Sequence, residues 1–345
     1  MDINFHYFAV KTLAVKAGFS NNQAQIIAEF SQYVDDFNRL LKLTCNNIPN
    51  YMTTDNTFVS KFIVGNKLKP VTTGFSDIID NVNIALADGC KYIVSPFHFI
   101  PNQVPAGLAA NTEVQNEYVN VATMPATMTN PSIITNLLTT VKTNYMQPNI
   151  SNNQKDLYLV QLGLYLHIFA DTYAHQGFSG YESNINNKKI TQYTRTGDSG
   201  KDIIKTNIYR ALPSVGHANV GHFPDLTNYA FVMKDSQGKQ EARDNTVIFL
   251  QVAQEIFGFL KSFFPNTTNP QIWDKTLEAD FVKAFDKEYN PHDFSSMQEA
   301  WAHFNIQYHY NVNNIFNNNG NIYDEKFYWF NYSAYQVLKA LQLIV

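Results

Sequence analysis

The chain is poor in most of the features that assign a protein quickly. Two cysteines, Cys45 and Cys90, in 345 residues are too few for a disulfide framework and too far apart for a metal knuckle. Two reduced core thiols are the expectation. Basic charge is also scarce. With 25 Lys and Arg against 29 Asp and Glu, the net charge is −4, and no basic stripe is available for duplex nucleic acid. No apolar run approaches the roughly 20 residues of a membrane span, so no transmembrane segment is expected and only peripheral membrane contact is left open. A secretory leader is not legible either. In MDINFHYFAVKTLAVKAGF, Asp2 stands where a basic region belongs and lysines break the apolar stretch. The expected compartment is cytoplasmic, with export by a signal-peptide-independent route as the alternative. Walker and Rossmann patterns are missing. The GFSGY around Ser179 is not G-x-S-x-G, which argues against a serine hydrolase.

What is present is a globular composition, 45% hydrophobic with 14% aromatic residues, long enough to bury a sizeable core. Helical periodicity dominates. From Asn21 to Leu43, the residues Ala24, Ile27, Phe30, Val34, Phe37 and Leu41 recur at three-to-four spacing, with Ser20 or Asn21 as the N-cap. Further helices are expected from Pro131 through Val141, Asn152 to Gln176 with Gly177 closing it, Asn245 to Phe263, Trp273 to Phe285 and Tyr332 to Val345. Strand patterns are restricted to Lys91 to Val94 and Ala230 to Met233. Long polar loops are expected over Asn46 to Asn56, Ile100 to Asn130, Ser179 to Gly200 and Asn311 to Asn321, and loops of that length commonly line sites. The reading is an all-α fold, one multi-helical domain over residues 1–345.

The chemistry concentrates in LGLYLHIFADTYAHQGFSG. Here His167, Asp171 and His175 stand at i, i+4 and i+8, each step turning about 40° around the helix axis, so the three share one face. Imidazole and carboxylate are the donors that zinc takes. The neighbours Leu164, Leu166, Ile168, Phe169 and Ala170 make the helix apolar almost all round. A buried aspartate there calls for a compensating cation. The bland alternative is a hydrogen-bonded Asp–His network without metal. One helix cannot complete a coordination shell. The remaining candidates are His6 in NFHYF, Asp35 and Asp36 in SQYVDD, His98 in SPFHFIP, and His217, His222 and Asp225 in SVGHANVGHFPD. His292, His303 and His309 lie in a Tyr/Asn-rich region and read as structural or surface residues.

The set NFHYFAV, SQYVDD, SPFHFIP, HIFADTYAHQGFSG and VGHANVGHFPD resembles a bacterial protein family without an assigned function. Its members look like distant relatives of zinc-dependent phospholipase C and the fungal single-strand nucleases. That resemblance implies a helical fold holding two or three zinc ions, or another divalent metal. It implies that His167 and Asp171 form the family's His-x-x-x-Asp, with Asp171 bridging two ions. It further implies Asp36 or Asp35 as ligand and base, and His98 and His6 as ligands. His175, His217 and Asp225 would hold a further ion, and His222 is an ambiguous extra. The phospholipases also use the amino group of a processed N-terminal tryptophan, whereas this chain begins at Met1. Four residues beyond His217 stands Gly221 in place of the family's glutamate, so either Asp225 replaces it or the site holds two ions. The implied activity is hydrolysis of a phosphodiester: one ion lowers the pKa of a bridging water, the other steadies the leaving oxygen, and Asp36 orients or deprotonates the water. Phospholipid is the first substrate class and single-stranded nucleic acid or a nucleotide the second. A non-catalytic helical module with structural metal is the third reading. Tyr7, Tyr33, Phe97, Phe99 and Tyr173 beside the proposed ligands either line a cleft or belong to the core.

Overall fold

The computed structural model describes residues 1–37, 43–44, 49–64, 67–74, 89–103, 118–195, 202–208, 214–265, 271–287, 293–310 and 325–344. A π-wound segment, Asn4–Ala9, runs into α1 (Val10–Ala17), followed by α2 (Asn21–Asp36). Short pieces follow: β1 (Leu43–Thr44), α3 (Asn50–Thr53), α4 (Asn56–Phe62), β2 (Ile63–Val64) and β3 (Lys67–Leu68). A second π-wound segment, Cys90–Val94, leads into α5 (Ser95–His98). Then come α6 (Ile133–Tyr145) and α7 (Asn152–Ala174). Next are the strands β4 (Lys188–Arg195), β5 (Asp202–Ile208), β6 (Tyr229–Asp235) and β7 (Gln240–Asp244). The chain continues through α8 (Asn245–Lys261), α9 (Lys275–Asp286), α10 (Phe294–Trp301) and α11 (Glu325–Ala340).

Caps fix where the helices start. Ser20 accepts from the Gln23 amide while Gln23 returns a bond to the Ser20 amide, opening α2. Ser132 and Thr135 do the same for α6, and Ser151 caps α7 at the Gln154 amide. Helix α7 buries almost every residue from Leu157 to Ala174, as an all-round apolar helix must. It packs against α2, α6, α8 and α11. Its closest crossing is with α2 at Gly163, where a Cβ would stand 2.3 Å from the Ile27 carbonyl oxygen. Only glycine lets two helix backbones meet that closely. Among the described residues, no helix is long and apolar enough to cross a membrane.

The chain is mostly helical, but the all-α expectation needs correcting. Strands β5-β4-β6-β7 form a four-stranded antiparallel sheet, and β1-β3-β2 a small three-stranded one. Of the two expected strand segments, Ala230 to Met233 lies inside β6, whereas Lys91 to Val94 is π-wound helix. The loop expected over Ser179 to Gly200 contains β4, and the one over Asn46 to Asn56 contains α3. The expected extension of α2 to Leu43 fails, since the helix stops at Asp36. Leu41, Cys45, His292 and the Asn311 to Asn321 stretch fall outside the described residues; Cys90 is buried. A main apolar core surrounds α7. A smaller cluster of Val94, Phe99, Phe178, Ile190, Val220, Phe231 and Met233 joins the large sheet to α5, and the candidate site lies between the two.

Candidate metal centre

Because α7 runs unbroken to Ala174, His167, Asp171 and His175 share one face, all buried. His175 is the residue at which the helix ends, and Gly177 just beyond it has φ of +78°. Arg243 holds that end: its Nη2 donates to the Tyr173 and Ala174 carbonyls at 3.1 and 2.8 Å. Other elements bring their donors to this face. His6 comes from the first π-wound segment, Asp35 from the last turn of α2 and His98 from the end of α5. His217 and Asp225 come from the turn-rich segment before β6.

Four donor atoms make a cage. Asp171 Oδ2 lies 3.3 Å from both His98 Nδ1 and His167 Nε2. Asp35 Oδ1 lies 3.7 Å from His98 Nδ1 and 3.6 Å from His167 Nε2, and the two imidazole nitrogens are 3.5 Å apart. A tetrahedron with zinc–ligand distances of about 2.0–2.1 Å has edges of about 3.3–3.4 Å. The His98, His167 and Asp171 atoms, 3.3–3.5 Å apart, fit three corners of one; Asp35 Oδ1 lies beside two of them and also groups with His6 and His167. A second group consists of His175, His217 and Asp225, with His175 Nε2 2.9 Å from Asp225 Oδ1 and His217 Nε2 3.3 Å from Asp225 Oδ2. Between them, the other oxygen of Asp171, Oδ1, meets the Met1 amino group at 2.6 Å and His6 Nε2 at 3.1 Å. That amino group also lies 3.2 Å from Asp225 Oδ1. The carboxylate of Asp171 therefore presents one oxygen to each of two donor sets, as a bridging ligand does.

Backbone carbonyls set the tautomers. His98 Nε2 donates to the Thr73 carbonyl at 2.7 Å, His175 Nδ1 to the His98 carbonyl at 2.5 Å, and His217 Nδ1 to the Gly221 carbonyl at 2.7 Å. A carbonyl only accepts, so that nitrogen of each ring carries a proton. The opposite nitrogen faces a carboxylate, His98 Nδ1 toward Asp171 and His175 Nε2 and His217 Nε2 toward Asp225. In the neutral ring it is the lone pair a metal would take. The Nδ1 atoms of His6 and His167 are buried without a hydrogen-bond partner. Burial, followed by the nearby amino group, pulls the His6 imidazole down to about 4. Burial does the same for His217, also to about 4, and for His167 well below its ordinary value. All three are neutral donors at pH 7. Burial opposes ionisation of Asp171, but His175, the amino group, His167 and His6 together hold its carboxyl well below the usual range. Burial and the Asp171 charge push Asp35 well above it. Two carboxylates that resist ionising together, set among neutral imidazoles, suit a divalent cation.

Of the ten residues expected from sequence, His6, Asp35, His98, His167, Asp171, His175, His217 and Asp225 converge. Asp36 does not: it points to Tyr310, whose hydroxyl donates to it through a short bond, and to Gln32 Nε2 at 3.3 Å. Adjacent helix residues diverge by about 100°, so only one of the pair can face the centre. The base role expected of Asp36 therefore loses its geometric footing. His222 Nδ1 is 3.6 Å from Asp225 Oδ2, but its side chain is 80% exposed. Tyr7, Tyr33, Phe97, Phe99 and Tyr173 are buried core residues; Phe99 stacks on His175 with ring centroids 4.4 Å apart. His303 bonds the Asp280 carbonyl and the His309 amide bonds Tyr7, both structural contacts. The sequence carried no signal for Thr73 or Arg243, neither of which stands in a recognisable ligand spacing.

Residues 1–341 match the profile of a family described as "Family of unknown function (DUF6765)", and the chain belongs to that family. No curated protein and no solved structure matches it.

Proposed function

We propose that this member of the family is a metal-dependent phosphoric ester hydrolase, a phosphodiesterase with a di- or tri-zinc centre similar to that of zinc-dependent phospholipase C. The observation that carries the reading is the pair of Asp171 oxygens, each turned to a separate set of nitrogen donors. The order of donors along the chain supports it: His6, Asp35, His98, His167 and Asp171, then His175, His217 and Asp225. It follows the phospholipase resemblance with two departures: His175 comes sooner after Asp171 than the corresponding histidine there, and Asp225 would take the place of the glutamate.

Zinc in these cages supplies Lewis acidity and a water of lowered pKa. The chain's own contribution is rigid placement. Asp35, His98, His167 and Asp171 would hold one ion and His175, His217 and Asp225 another, with His6 and Asp171 Oδ1 between them. Asp35 has the only appreciably exposed side chain of the tetrahedral set, at 28%, so phosphate would enter over its carboxylate. From that rim Asp35, rather than Asp36, is placed to orient the attacking water and accept its proton on the carboxylate oxygen that does not face the ion. A purely structural ion needs one closed shell of four ligands. Eight converging side chains exceed that.

The test is elemental analysis of the purified protein, then turnover on a phosphocholine lipid, a nucleotide phosphodiester and a generic aryl phosphodiester. The expected result is two or three equivalents of zinc and turnover that Asp171→Asn abolishes while circular dichroism stays native. Metal-free protein that turns over none of the three on zinc addition overturns the reading. Turnover on the nucleotide ester alone moves the substrate class and leaves the centre standing.

A further inference from the structure

The segment of residues 71–74, outside every motif of the sequence, touches two donors of the same cage from behind. The Thr73 hydroxyl donates to the Val34 carbonyl at 2.8 Å, in the last turn of α2. The amides of Thr73 and Gly74 donate to the Phe37 carbonyl at 3.3 and 2.9 Å, so three donors satisfy carbonyls that the end of a helix leaves open. Gly74 lies so close to that turn that a Cβ would fall 2.0 Å from the Asp35 carbonyl oxygen. From the same residue, the Thr73 carbonyl accepts the Nε2 proton of His98 at 2.7 Å. Upstream, the Val71 amide donates to Asn331 Oδ1 at 2.9 Å. Asn331 is itself buried and fixed to the Phe327 carbonyl on α11.

We infer that residues 71–74 form a positioning clasp that aims Asp35 and His98 at one ion, with Thr73 and Gly74 as its positioning residues. The inference rests on the metal reading for its purpose, but not for its geometry. Thr73 closes the final turn of α2 at Val34, immediately before Asp35, and so fixes which of the two consecutive aspartates faces inward. Its carbonyl keeps a proton on His98 Nε2, so in the neutral ring Nδ1 is the lone pair that a metal would take. One residue thereby sets the direction of one ligand and the tautomer of another. Partners of this kind typically contribute 10–100-fold to metal affinity. Their loss acts on the cage that contains Asp35 and leaves His175, His217 and Asp225 untouched.

Two measurements decide it. In metal-free protein labelled with ¹⁵N-histidine, the His98 resonance, assigned by its loss in His98→Gln, is expected to show a proton on Nε2. A proton on Nδ1 overturns the clasp. In a Co²⁺ titration, the tetrahedral visible band reports the Asp35/His98/His167/Asp171 cage. Thr73→Val is expected to weaken that band's affinity about 10-fold, Thr73→Ser to restore it, and Gly74→Ala to weaken it about 100-fold, with the remaining Co²⁺ equivalents bound as in the parent. Parent-like affinity in both Thr73→Val and Gly74→Ala overturns the clasp. If Gly74→Ala does not fold, the Val/Ser pair carries the decision. If the parent takes up no Co²⁺ or Zn²⁺, the metal reading falls, and the clasp then stands or falls on the His98 proton alone.

Discussion

Around His98 and His167 the donors sit on helices enclosed by the main core; around His217 and Asp225 they hang from a turn-rich segment against the large sheet. The first group has side chains no more than 4% exposed apart from Asp35, whereas His217 and Asp225 are 16% and 12% exposed. In the first, a ligand's direction is inherited from helix phase. In the second, it depends on local bonds such as that from His217 Nδ1 to the Gly221 carbonyl. The lesson is one of tolerance: the helical group should resist perturbation around it and fail when a donor is removed, while the loop group should be the weaker and more exchangeable site.

Removing a donor from each group tests that contrast most severely. His167→Ala should abolish one metal equivalent and lower turnover by roughly 10³-fold, as loss of a preorganised electrostatic element does. His217→Ala should cost the other equivalent and leave the cobalt band of the tetrahedral cage intact. Loss of both equivalents in either variant would merge the two groups into one. Stripping metal with a chelator comes next. If free zinc stands about 1,000-fold above its dissociation constant, the bound state gains about 4 kcal/mol, and calorimetry should show the melting temperature fall by roughly 5–10 °C.

Gly163→Ala probes the scaffold rather than the donors. Its new methyl meets the Ile27 carbonyl and should destabilise by about 1–3 kcal/mol in chemical denaturation. Metal stoichiometry should survive. A smaller effect is expected from acid. His6 and His217 titrate near 4 in the metal-free fold against an ordinary 6.5, so between those values the unfolded chain binds more protons. Metal-free stability should therefore be flat above pH 7 and decline as pH falls from 6.5 toward 4; a stability that rises on acidification would contradict the burial of neutral imidazoles. Least of all, His222→Ala should change metal affinity and turnover less than about 10-fold, since its side chain is 80% exposed and an exposed group contributes little.

Much of this was legible because helix period and ligand spacing share one number. His167, Asp171 and His175 could be placed on a common face before any coordinates, and α6, α7, α8 and α9 follow their apolar periodicity to within a few residues, while α2 starts as its period predicts but stops at Asp36. The sheet was hidden for the opposite reason. β4 reads KKITQYTR, and its Lys188 is buried with the ammonium 4.6 Å over the Phe178 ring and paired to Glu241. A stem that lies along apolar surface while its charge finds a partner leaves no alternation to read. Lys91 to Val94 carries β-branched residues yet is wound as helix into α5, because tertiary packing overrides a short propensity signal. The choice between Asp35 and Asp36 was open in the sequence because it is made by contacts from far along the chain, Tyr310 on one side and Thr73 on the other.

The enclosure of α7 also bears on time. An ion bound at His98, His167 and Asp171 would have helices behind it, with Asp35 the one appreciably exposed side chain beside it. Departure then requires that carboxylate to let go and swing outward, so escape should be far slower than the affinity alone would give. A preparation dialysed against buffer would keep this ion long after the one beside His217 had exchanged, and isotope chase with labelled zinc would resolve two residence times from one protein.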